Sequence, residues 1–84
     1  MFYCGIDIAK YKHEATVIDE SGAALLDSIS FANSKEGCEK LLALFERLSV
    51  TREEILVGME ATGHYWLSIY GYLLDQNFEV KVIN

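Results

Sequence analysis

Two acidic residues interrupt stretches that otherwise read as hydrophobic strands. Asp7 lies inside Phe2-Tyr3-Cys4-Gly5-Ile6-Asp7-Ile8-Ala9. Glu60 ends Ile55-Leu56-Val57-Gly58-Met59-Glu60 and is followed by Ala61-Thr62-Gly63. A carboxylate in a buried strand is costly unless it is paired or binds a cation. Two carboxylates on neighbouring strands repel each other, and a divalent metal relieves that repulsion. Asp7 and Glu60 are therefore the candidate ligands of a Mg²⁺ site for phosphoryl-transfer chemistry. Each acid also has a plain structural reading. A lone Asp in a strand is more often a satisfied structural residue, and a Glu just before a helix is favoured by the helix dipole.

The remaining chemistry-bearing residues read as structural. Cys4 and Cys38 form no CxxC motif, and one pair makes no disulfide framework, so both are expected as free buried thiols. His13 and His64 lack metal-ligand spacing. His13 is expected on a strand surface and His64 in the first turn of a helix. Thr62 is expected as the N-cap of that helix, with Thr62 and Gly63 also placed to offer backbone N–H groups to a phosphate. Lys10 reads as a solvated turn lysine with a phosphate contact as the alternative, and Asp19 as a turn residue.

Size and charge bound what these residues can do. The chain has 84 residues, 51% of them hydrophobic, with a formal net charge of −6. That is one small folded domain whose stability leans on a partner. An acidic domain is a poor nucleic-acid binder on its own, because phosphate contacts need Lys and Arg. Positive surface for DNA or RNA would come largely from elsewhere. No apolar run is long enough to span a bilayer and no signal peptide is visible, so a cytoplasmic protein is expected.

The elements that must position the acids follow from periodicity. Phe2 to Ala9 is apolar on both faces, the pattern of a central strand covered on both sides. A second strand runs from His13 to Glu20, the Ser21-Gly22 turn follows, and Leu25 to Phe31 is a third strand, with Leu25, Ile29 and Phe31 of one parity. Asn33-Ser34-Lys35-Glu36 reads as a capping box, with Asn33 the N-cap and Glu36 at N3. Cys38, Leu41, Leu42, Phe45 and Leu48 recur at helical spacing, and Gly37 is expected to weaken this helix. Thr51 to Glu54 is a turn or a single helical turn. Ile55 to Glu60 is the fourth strand. The second helix starts at Thr62-Gly63, carries a stripe of Trp66, Ile69, Tyr70, Leu73 and Leu74, and stops at Asn77. Glu79 to Ile83 is the fifth strand.

The order βββαβαβ, with right-handed crossovers, places the fourth strand parallel to the first and the fifth beyond it. The predicted fold is α/β, a mixed five-stranded sheet of order 3-2-1-4-5 with two helices. Asp7 and Glu60 then meet across adjacent strands at the carboxyl end of the sheet, where open α/β sheets bind ligands.

This is the ribonuclease-H-like order. Gly5-Ile6-Asp7-Ile8-Ala9-Lys10 together with Gly58-Met59-Glu60-Ala61-Thr62-Gly63-His64-Tyr65-Trp66 resembles the N-terminal domain of the DEDD transposases of the bacterial IS110 family, whose catalytic domain is RuvC-like. The glutamate motif is the stronger signal, because many ribonuclease-H-like and actin-like proteins share Gly-Ile-Asp. The resemblance extends to Phe31-Ala32-Asn33 and to Val80-Lys81-Val82-Ile83-Asn84. It implies four acids holding Mg²⁺, of which Asp7 matches the first and Glu60 the second. The other two lie downstream in the family, as does a C-terminal domain with the serine assigned the attack on DNA. Residues 1–84 are accordingly expected to be the N-terminal part of a RuvC-like catalytic domain, inactive alone. For the whole protein the resemblance implies DNA transposition and recombination, with DNA, a guide RNA and further copies of the chain as partners. A homo-oligomer is expected. Two other readings stay open: a fragment of an actin-like or sugar-kinase-like ATPase, and a non-catalytic assembly module. ATPases of that kind usually follow the strand-one Asp with a Gly-Thr phosphate loop, and here Ile8-Ala9-Lys10 follows.

Overall fold

A computed structural model describes all residues, Met1–Asn84. The elements are β1 (Phe2–Asp7), β2 (Lys12–Ile18), β3 (Ala24–Ala32), α1 (Lys35–Arg47), a 3₁₀ turn (Arg52–Glu54), β4 (Ile55–Glu60), α2 (Leu67–Asp75) and β5 (Glu79–Ile83). The five strands form one sheet of order β3-β2-β1-β4-β5, as the element order predicts. β1 pairs antiparallel with β2 and parallel with β4.

One face of the sheet carries the core. Cys4, Ile6 and Ile8 are buried there with Ala15 and Val17 of β2 and Ile55, Val57 and Met59 of β4. Leu41 and Phe45 of α1 and Ile69 and Leu73 of α2 belong to the same cluster. The expectation that β1 is covered on both faces fails. Tyr3, Gly5 and Asp7, which alternate with the core residues, are exposed. Two helices suffice to cover one face of five strands, and the other face is bare within this chain. No helix is long and apolar enough to cross a membrane.

Several boundaries differ from the pattern reading for local reasons. An extra residue in β3 shifts the register between Ala15↔Ile29 and Val17↔Leu26. This bulge breaks the single parity expected for β3, so Leu26 as well as Leu25 packs against the core. The N-cap of α1 is Ser34, not Asn33: the Ser34 hydroxyl accepts from the Gly37 N–H at 3.1 Å. The Glu54 carboxylate instead accepts from both the N–H and the hydroxyl of Thr51, which closes the 3₁₀ turn. α2 begins at Leu67 rather than at Thr62-Gly63, and its N-cap Trp66 makes no side-chain cap bond. The four residues before it, Gly63 to Trp66, form a turn because Gly63 takes φ 57°, which an α-helix does not accommodate. Leu74 is 43% exposed and lies off the buried stripe.

Both helices end alike. The N–H of Val50 reaches the Phe45 carbonyl and that of Ser49 the Glu46 carbonyl. Phe78 N–H likewise reaches Leu73 and Asn77 N–H reaches Leu74. These are Schellman closures, and the residue that turns the chain, Ser49 at φ 58° or Asn77 at φ 67°, is left-handed. Asn77 is the predicted stop of α2.

Candidate metal centre

Asp7 is the last residue of β1 and Glu60 the last of β4. Ile6 is level with Met59 in the parallel pair, so the next residues, Asp7 and Glu60, are level too. Because residues alternate along a strand, burying Ile6 and Met59 against the helices turns both acids to the bare face. Both are exposed, and both line one concavity of about 570 Å³ with Gly5, Gly58 and Thr62. The glycines leave the floor open: a Cβ at either position would meet nothing within 4 Å.

A third acid borders this concavity and was missed in the sequence reading. Glu14 stands opposite Asp7 in the antiparallel pair and lines the same concavity. Its carboxylate accepts from the Ser28 hydroxyl at 2.9 Å and from the Ser30 hydroxyl at 3.1 Å, both on β3. The sequence signal was the parity of Glu14, opposite to that of its neighbour Ala15. It gained meaning only when β2 was paired with β1. The three acids do not converge as a cage: no group of three His, Cys, Asp or Glu side chains is placed to hold a metal ion. The donor chemistry of Asp7 and Glu60, oxygen only and open to water, suits a hard divalent cation that keeps most of its hydration shell.

The loops around the acids are tied together by Asn33. Its N–H donates to the Tyr11 carbonyl at 2.9 Å, and its Nδ2 donates to the carbonyls of Lys10 and Tyr65. One side chain at the end of β3 thus joins the β1–β2 turn to the segment between Glu60 and α2. His13, expected on a surface, is fully buried beneath this turn. Its Nδ1 accepts from the Ala9 N–H at 3.1 Å, and its ring meets Phe31 edge-on. Nε2 of His13 and Oδ1 of Asn33 are buried without a hydrogen-bond partner. Burial pushes the imidazole pKa down, while the Asn33 side chain and then the Asp7 carboxylate pull it up.

Thr62 is no helix cap, because α2 starts five residues later. Its N–H is turned back to the Glu60 carbonyl at 3.0 Å. The helix N-terminus expected beside Glu60 is therefore absent, and His64 sits in the turn, not in the helix. Asp19 closes the β2–β3 turn, accepting from the Ser21 and Ala23 N–H groups and the Ser21 hydroxyl. Cys4 and Cys38 are free and buried, and burial pushes the Cys4 thiol up to about 12.

A family model described as "Transposase", that of the DEDD transposases of IS110 type, matches residues 4–84. The chain belongs to this transposase family. None of the curated proteins matches it. Among solved structures, a protein of actin-like ATPase fold and unknown function from Bacteroides thetaiotaomicron is similar over 99% of this chain, at TM-score 0.77 and 16% identity. YeaZ from Pseudomonas aeruginosa is similar over the whole transposase domain at TM-score 0.63 and 10% identity. At these identities the likeness is one of fold. The transposase domain spans 32% of the first of these structures and 45% of the second.

Proposed function

We propose that this transposase domain supplies the first two carboxylates of a Mg²⁺-dependent site for DNA strand cleavage and transfer. The observation that carries the reading is the placement of Asp7 and Glu60 level with each other at the ends of parallel neighbours, in a chain whose family match spans residues 4–84. Asp7 and Glu60 would hold the ion from two adjacent strands, so the sheet's own hydrogen bonds set their spacing. Held by Asp7 and Glu60, such an ion would supply polarisation of a phosphate oxygen and stabilisation of charge on the attacking and leaving oxygens. Glu14, tied to two serines, keeps negative charge beside Asp7 and favours a cation there. Two carboxylates are half of the four that the resemblance implies, so catalysis belongs to the whole transposase. DNA, a guide RNA and further subunits are its proposed partners.

Replacing Asp7 by Asn or Glu60 by Gln in the complete transposase should abolish strand transfer while leaving DNA binding in place. Full activity in either variant would remove the site. The rival reading, ATP binding by an actin-like fold, draws on the likeness to the Bacteroides structure. Ile8-Ala9-Lys10 offers no Gly-Thr phosphate loop after Asp7, and saturable ATP binding by the chain would favour that rival.

A further inference from the structure

Beside the acidic concavity lies a second one of opposite charge. It has a volume of about 770 Å³, and its lining includes Lys10, Tyr11, Lys12, Ser30, Glu36 and Lys40. Three of the chain's seven cationic side chains meet here, in a protein with thirteen carboxylates. None of the three is in an ion pair, for the only salt bridge in the structure joins the N-terminal amine to Glu20. Glu36 is the single acid on the lining. With acids in excess, unpaired lysines gathered at one groove leave their charge free for an outside anion.

The groove is also held in shape. Asn33 fixes the Lys10 and Tyr11 carbonyls, and Lys40 Nζ donates to the Ser30 carbonyl on the β3 edge at 2.9 Å. Tyr11 stands 76% exposed, with the Lys10 ammonium 5.1 Å from its ring centre. An aromatic ring presented to solvent among lysines is the arrangement that stacks an unpaired base while the ammonium groups meet the backbone phosphates. The groove borders the acidic concavity: Ala9 on the groove follows Ile8 on the concavity, and the hydroxyl of Ser30 on the groove donates to Glu14 on the concavity at 3.1 Å.

We infer that this groove binds a single-stranded nucleic-acid segment, with Lys10, Lys12 and Lys40 on phosphates and Tyr11 under a base, and leads that strand toward Asp7 and Glu60. The inference deepens the nucleic-acid reading above but needs no metal. An acidic peptide would use the lysines alone and gain nothing from Tyr11.

The test is fluorescence anisotropy of a labelled single-stranded oligo-dT with the 84-residue chain at low salt in EDTA. Binding is expected, with a log–log salt slope of about −2 for three phosphates on a single strand. Lys10→Gln and Lys12→Gln should each weaken it roughly threefold or more, and Tyr11→Ala roughly fivefold or more. Arg47→Gln, the same charge change at the far end of α1, should leave it within about twofold. Asp7→Asn should leave it unchanged or tighter, which separates this groove from the acid site. No binding, equal losses at Arg47 and the lysines, indifference to Tyr11→Ala, or duplex bound as well as single strand would each overturn the inference.

Discussion

Asp7 stands directly opposite Glu14 across the β1–β2 pair and level with Glu60 across the β1–β4 pair. One carboxylate is thus flanked by two others on neighbouring strands, on a face open to water. Like charges directly opposite in a sheet are destabilising by a few tenths to about 1 kcal/mol. The Asp7→Asn chain should therefore be neutral or more stable by up to about 1 kcal/mol in EDTA. Mg²⁺ or Mn²⁺ should raise the melting temperature of the parent chain and not that of the variant. A clear loss of stability on Asp7→Asn would make Asp7 a structural residue.

Gly37 is required, although it sits inside a helix. A Cβ there would lie 1.9 Å from the Ala32 carbonyl oxygen and 2.7 Å from two further Ala32 backbone atoms. Helix propensity alone favours Gly37→Ala by about 1 kcal/mol. Overpacking against backbone, which cannot rotate away, reverses the sign, and a net loss of about 2 kcal/mol is expected. Urea denaturation of the variant measures it.

Ser49 holds a left-handed conformation that costs a residue with a Cβ about 1 kcal/mol. Ser49→Gly should stabilise the chain by about 0.5 kcal/mol after the greater freedom of glycine in the unfolded chain is counted. Ser49→Val should destabilise it. Thermal melts of the two variants should move in opposite directions.

His13 makes stability depend on pH. Its folded-state pKa lies below the ordinary 6.5, chiefly through burial, with Asn33 and Asp7 opposing. The unfolded chain therefore binds this proton first, and stability rises with pH wherever that holds. The contribution is complete above the unfolded value and is lost as the pH falls through 6.5 toward the lower folded value. Unfolding free energies measured between about pH 5.5 and 7.5 should fall on the acid side in the parent chain and be flatter in His13→Gln. An equal slope in both would remove His13 as the source.

The thiols should be inert in the native state. Cys4 is 1% exposed and its pKa is pushed up to about 12, so almost no thiolate is present near neutral pH. A disulfide reagent should modify Cys4 only at the rate of unfolding, and fast labelling in native buffer would contradict its burial.

Strand order, the parallel pairing of β1 with β4 and the meeting of Asp7 with Glu60 were all legible in the residues. They follow from alternation within strands, connection length and the hand of crossovers, which are local or near-local rules. The stop of α2 at Asn77 was legible for the same reason. What sequence pattern could not supply was contact between distant segments. Gly37 reads as a weak helix residue until Ala32 is seen against it. Asn33 reads as a cap until its side chain is found joining Lys10 to Tyr65. His13 reads as a surface residue because a polar side chain carries no sign of what will cover it. Glu14 acquires a role only when β2 is laid beside β1 and β3. The bare face runs against the doubly apolar pattern of β1, since an apolar pattern tells which side chains avoid water but not whether this chain holds the elements that cover them. Local pattern decided the order of the elements and the two carboxylates. Packing decided which face is open, where the third acid stands and where the lysines gather, because those depend on distances between residues that sequence separation does not encode.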